Sequence, residues 1–269
     1  MTLHAFDEAI ALERQPNGHW LGHTSAAYAN MVGPFGGVMA AQAINGVLQH
    51  PDKLGDPVAF TINFAAALAD GPFEVQARAA RTNRSTQHWV VEVVQDGKTA
   101  LTATVFTALR RDTWNANDLA LPVVTSAADT MRSHGRGRAE WLNRYELRFV
   151  HGYFPPAWDG SDSGDSITRL WMRDDPPRPL DFASLTALAD VFYPRIWRRR
   201  ATLIPVGTVS MTVYFHADAR QLADTGSGYL LGQAQALAFR NGFFDQTAQL
   251  WNEAGDLLAT THQVVYYKE

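Results

Sequence analysis

The segments TINFAA at residues 61–66 and TVYFHA at 212–217 decide how this chain is read. Each begins with Thr, places a Phe fourth (Phe64, Phe215) and ends on Ala. Working outward, an apolar stretch rich in small residues precedes each one: GPFGGVMAAQAINGVLQH (33–50) before the first, LDFASLTALADVFYPRIW (180–197) before the second. Both stretches predict buried helices. Strand-like runs follow. In the first half these are VAFTINFAA (58–66), FEVQARAA (73–80), HWVVEVVQ (88–95) and ALTATVFTAL (100–109). In the second they are TVSMTVYFHA (208–217), GYLLGQAQALAF (228–239), FFDQTAQLW (243–251) and LLATTHQVVYY (257–267). Gly97 and Gly255 fall in matching turns, where a tight hairpin needs a residue tolerant of positive φ. The chain is therefore one pattern, helix then four strands, written twice at a spacing of about 150–158 residues.

Further strands are expected before each helix, at HWLGHTS (19–25), RYELRFVHG (144–152) and ITRLWMR (167–173). Residues 111–140 are polar and punctuated by Pro and Gly, which predicts a surface linker between an N-terminal unit at 1–110 and a C-terminal unit at 141–269. PPAWDGSDSGDS (155–166) reads as an exposed loop. An antiparallel sheet that curls around a helix buries the apolar side of both. Two such units side by side make an α+β pseudo-dimer.

Composition narrows the chemistry. The 269 residues are 46% hydrophobic, carry a formal net charge of −4 and contain no block of five or six basic residues, so neither nucleic acid nor an acidic membrane surface is an expected partner. The absence of cysteine removes disulfides, thiolate zinc sites and cysteine nucleophiles. The nine histidines show no HExxH spacing, so no metal is expected. GSDSG has Asp162 where a nucleophile elbow needs Ser, and GPFGG lacks the Lys-Ser/Thr ending of a phosphate-binding loop. With no basic-then-apolar leader at MTLHAFDEAI, a cytoplasmic location is expected.

The chemically informative stretch is SLTALADVFYPR (184–195), where Asp190 is the lone acid in an apolar run. Desolvation there would raise its pKa and make it a better base. Together, FGGVMAAQAI, the INFAA-to-QDGK segment, LADVF, GTVSMTVYFHA and GDLLATTHQVVYY resemble the acyl-CoA thioesterase II family of double-hotdog proteins, over roughly residues 20–110 and 180–267. The resemblance implies a double hotdog, each repeat a long central helix wrapped by a curved antiparallel sheet. It also implies hydrolysis of an acyl-CoA by water activated by an Asp, a Thr or Ser and a Gln, which carry over to Asp190, Thr208 and Gln263. No cofactor is implied, since CoA belongs to the substrate.

The repeat isolates the same three residues. Counting from the anchors puts Met39, Pro57 and Val105 opposite Asp190, Thr208 and Gln263, so only the second half is polar at these places. Backbone N–H groups near Gly36 and Gly37, where a helix begins, are candidate oxyanion donors. Phe35, Met39 and Phe64 are candidate lining for an acyl chain. Arg81, Arg84 and the Arg195, Arg198, Arg199 and Arg200 cluster are candidates for the CoA phosphates. Two other readings remain: a non-catalytic acyl-CoA or hydrophobic-ligand binder, and a hydratase using Asp129 and His134. Exposed sheet edges predict a homo-oligomer.

Overall fold

The computed structural model describes residues 3–133 and 139–269. The first half contains α1 (Ala5–Ala9), β1 (Glu13–Arg14), β2 (Trp20–His23), α2 (Gly36–Leu48), β3 (Asp56–Phe64), β4 (Pro72–Thr82), β5 (Thr86–Gln95) and β6 (Lys98–Ala108). The second contains β7 (Tyr145–His151), β8 (Thr168–Asp174), α3 (Phe182–Leu188), α4 (Arg195–Arg200), β9 (Val206–Phe215), α5 (Ala219–Thr225), β10 (Leu230–Gln235), β11 (Phe239–Arg240), β12 (Phe243–Asn252) and β13 (Leu257–Tyr267). The strands form one antiparallel sheet in the order β1-β2-β4-β5-β6-β3-β9-β13-β12-β10-β8-β7, with β11 on the side of β12.

The two anchor segments meet at the centre of this sheet. Strands β3 and β9 pair antiparallel with Thr61 opposite Thr212, their hydroxyls 3.0 Å apart. Around that pair the register is self-complementary. Ala59 faces Tyr214 and Asn63 faces Ser210, the same pairing read from either strand.

The halves also share their irregularities. A bulge at Val58 interrupts β3 against β6, and one at Val209 interrupts β9 against β13. The amides of Ala65 and Ala66 both donate to the Ala100 carbonyl, as those of His216 and Ala217 donate to that of Leu258. Matching bulges bend both sheets at the same place, which lets each curl around its helix. The Asp96-Gly97 turn has positive φ at both residues, as a two-residue hairpin requires, and Gly255 at the matching turn is also positive.

Helix α2 is buried along nearly its whole length, from Gly37 to Val47. The amide nitrogens of its polar members are bonded: Gln42 Nε2 donates to the carbonyls of Ala9 and His23, and Asn45 Nδ2 to that of Ile10. These bonds pin the N-terminal segment across the helix. Each fully buried Ile or Val on the opposite face contributes on the order of 1.5–3 kcal/mol. Helix α2 crosses α3 where Gly37 presents no side chain; a Cβ there would stand 2.7 Å from the Ala187 carbonyl oxygen.

Three local readings change. The expected helix at 180–197 is two short ones, α3 and α4, with Asp190 between them, because Pro194 cannot continue the first and instead caps the second. The expected strand at 228–239 splits into β10 and β11, since Asp245 Oδ1 captures the amides of Leu237 and Ala238. Helix α5, unforeseen, starts at a capping box of Asp218 and Gln221. The segment between the halves lies over the outer face of the second sheet, where Ala127 packs on Trp171 and Leu231. His134 lies outside the described residues; Asp129 bonds Ser126 in a local turn.

Candidate active site

Asp190 follows the last turn of α3 and points toward the start of α2. Its Oδ1 accepts a hydrogen bond of 2.9 Å from Gln263 Nε2 on β13, and Gln263 is itself 3% exposed. A second contact from Gln263 Nε2, 3.4 Å to Met211 Sδ, steadies the amide. On the other side, a Cβ added to Gly36 would lie 2.8 Å from Asp190 Oδ2. Only a residue without a side chain lets the helix start approach the carboxylate so closely.

Burial raises the Asp190 carboxyl to about 7, against an ordinary value of 3.8. The Gln263 amide and the Gly37 backbone N–H pull it the other way, since both stabilise the charged form. The residue as a whole is half-buried, with its carboxyl turned inward away from water. A carboxylate so placed is proton-loaded and proton-free in comparable amounts near neutral pH, which suits it to take a proton from water.

Thr208 sits on β9 beside the Val209 bulge, paired with Val265. Gln263 pairs with Met211, so Thr208 is one inward-facing pair further along the same face. Among the described residues its hydroxyl has no hydrogen-bond partner. The structure thus joins Asp190 to Gln263 directly and leaves Thr208 adjacent without a bond to either.

The remaining candidates divide. Phe64 reaches the Gly36 side of the site, its Cε1 3.6 Å from where a Cβ of Gly36 would be. Phe35 caps α2 and stacks on Trp141 with ring centroids 4.1 Å apart, and Met39 is buried one turn into α2. The Gly37 N–H faces Asp190, so this amide serves the carboxylate.

Arg195 is a correction: it is wholly buried, donating to the carbonyls of Tyr193 and Ser166 and to the Thr168 hydroxyl, where no CoA phosphate reaches it. Arg198, Arg199 and Arg200 pair with Asp165, Asp162 and Glu269. Arg81 and Arg84 are exposed at the β4–β5 hairpin, whose Gln87 bonds the chain just after α2, at Asp52 and Leu54. That is the far end of α2 from Asp190, about 20 Å away at 1.5 Å per residue.

A surface cavity of 460 Å³ lies between residues 164–167 and 235–240, and one of 210 Å³ on the outer face of the first sheet; Asp190 lines neither. Volume does not mark the buried acid. Among the described residues no cluster of His, Asp or Glu could hold a metal ion, and no helix is long and apolar enough to cross a membrane.

Two helices, each enclosed by half of a continuous antiparallel sheet, with matched bulges and a pseudo-twofold axis at Thr61 and Thr212, define a double hotdog. Comparison with known proteins places it further. The acyl-CoA thioesterase N-terminal domain matches residues 25–108 and the acyl-CoA thioesterase C-terminal domain residues 120–267, so the chain belongs to the acyl-CoA thioesterase family. A hot dog-fold protein of unknown function from Alicyclobacillus acidocaldarius is 43% identical, with a TM-score of 0.94 over 100% of this chain and 99% of that one. The tesB protein of Mycobacterium avium subs paratuberculosis is 16% identical, with a TM-score of 0.80 and full coverage of both chains. Acyl-CoA thioesterase II TesB2 from Mycobacterium marinum is 16% identical, with a TM-score of 0.75 over 98% of each. No curated protein matches the sequence.

Proposed function

We propose that this protein hydrolyses acyl-CoA thioesters to a free acid and CoA, with Asp190 as the base that deprotonates the attacking water. The observation that carries the reading is the buried Asp190 carboxyl, raised to about 7 and held by Gln263 at 2.9 Å. Ionised Asp190 orients water and accepts its proton. Gln263 fixes the carboxylate, and the Thr208 hydroxyl supplies a further hydrogen bond to the water. The pseudo-symmetric positions Met39, Val105 and Pro57 lack any group able to do this, so the reaction is assigned to one site per chain.

The test is release of free thiol from a panel of acyl-CoAs of increasing chain length by the purified protein. Turnover on any member supports the proposal. Thermal stabilisation by acyl-CoA without turnover on any member replaces it with ligand binding.

A further inference from the structure

The register of the second half places one more polar residue on the inner face beside the site. Gln246 on β12 pairs directly with Gln263 on β13 and is 2% exposed. Directly opposed residues on one face of an antiparallel pair hold their Cβ atoms about 5 Å apart. The two glutamines are therefore immediate neighbours. The Gln246 amide has no hydrogen-bond partner among the described residues. With no protein group bonding it and neither amide atom sealed off without a partner, the amide is free to bond a ligand.

The other half supplies the comparison. There Trp89 on β5 pairs with Val105 on β6, as Gln246 pairs with Gln263. Trp89 is 1% exposed, so in the half without an acid the position is filled by a buried indole, its Nε1 unpaired among the described residues, and not by an amide. Gln246 thus breaks the internal symmetry at the same place, and in the same sense, as Asp190 and Gln263. Two of the donors around Asp190, Gln263 Nε2 and the Gly37 N–H, already face its carboxylate.

We propose that Gln246 is the side-chain donor that binds the thioester carbonyl oxygen and stabilises its negative charge as water attacks. This rests on the hydrolytic reading above. Water gives a proton to Asp190 as its oxygen bonds the carbonyl carbon; the carbonyl electron pair moves onto oxygen, where Gln246 Nε2–H meets it. Collapse re-forms the carbonyl and breaks the C–S bond, and the departing thiolate takes the proton from Asp190. A donor aimed at the charge that develops acts on the transition state more than on bound substrate, so it is felt in kcat rather than KM.

The experiment is steady-state thiol release by the full chain with Gln246→Met, which keeps the volume and removes the amide, and with Gln246→Glu. For Gln246→Met the expected result is a kcat loss of about 10²–10³-fold with KM little changed, and an acid limb still centred where the parent's lies because Asp190 keeps both of its donors. Glu donates only when protonated, so activity of Gln246→Glu falls as pH rises, the reverse of the parent. The Glu variant also decides the matter if the Met variant does not fold. Parental kcat in Gln246→Met, or a parental pH profile in Gln246→Glu, overturns the proposal while leaving hydrolysis intact. A parent protein inactive on every acyl-CoA overturns the hydrolytic reading and this inference with it.

Discussion

Gln263 donates a 2.9 Å hydrogen bond to Asp190 across 73 residues of chain, from the last strand to the end of the second central helix. The bond favours the charged carboxylate and so opposes the upward pull of burial. Gln263→Met removes that opposition. The expected outcome is an acid limb of kcat/KM displaced to higher pH, with activity recovered in part at alkaline pH; a pH–rate profile of the variant checks it.

Gly36→Ala places a Cβ 2.8 Å from Asp190 Oδ2 and otherwise meets only the edge of Phe64 at 3.6 Å. The carboxylate must shift, and misplacement of a catalytic group is expensive even at small distances. Activity is expected to fall by roughly 10²-fold while the melting temperature stays near the parent's. Gly37→Ala differs, because its Cβ would meet both the Phe35 ring at 2.5 Å and the Ala187 carbonyl at 2.7 Å. That variant loses stability as well, by about 1–3 kcal/mol on the scale of overpacked cores.

The raised Asp190 pKa has a stability consequence with a definite sign. The folded state holds this proton more tightly than the unfolded chain, so the contribution is fully present below about pH 4 and is lost as pH rises through about 7. Asp190→Asn removes the penalty of a buried charge. The variant is expected to be more stable than the parent at pH 8, by an amount on the order of a few kcal/mol, and to show no gain at pH 4. Asp174, buried and raised to about 6 with Ser184 Oγ bonding its carboxylate at 2.6 Å, behaves alike in stability. It takes no part in the proposed reaction, so Asp174→Asn is expected to keep parental kcat. Chemical denaturation at the two pH values, paired with turnover, separates the two acids.

Thr208→Val replaces the hydroxyl by a methyl of nearly the same shape. The strand position is retained beside the Val209 bulge and the water loses one partner. A kcat reduction of roughly fivefold, the equivalent of about one hydrogen bond of 1 kcal/mol, is expected with an unchanged melting curve. An undiminished rate removes Thr208 from the site.

The duplication was legible because its marks are local: the anchor segments around Phe64 and Phe215, and the turns at Gly97 and Gly255, are patterns of a few residues. The meeting of Asp190 with Gln263 was reachable through the repeat and the family resemblance, since both residues break a symmetry that the sequence displays. Gln246 breaks it too, yet its partner Trp89 could be matched only once strand register was known, because the hairpin after β12 is one residue longer than that after β5. Arg195 misled because a run of arginines reads as a solvated face. Nothing local signals that Ser166 and Thr168 of a distant strand region will enclose the first of them.

Whether Asp190 is the base is decided by kcat for thiol release from the best acyl-CoA substrate, measured for the parent and for Asp190→Asn at pH 8. A loss of at least about 10²-fold is expected, in a variant that is folded and more stable than its parent. Asp190→Asn turning over at the parental rate would show that Asp190 is not the base.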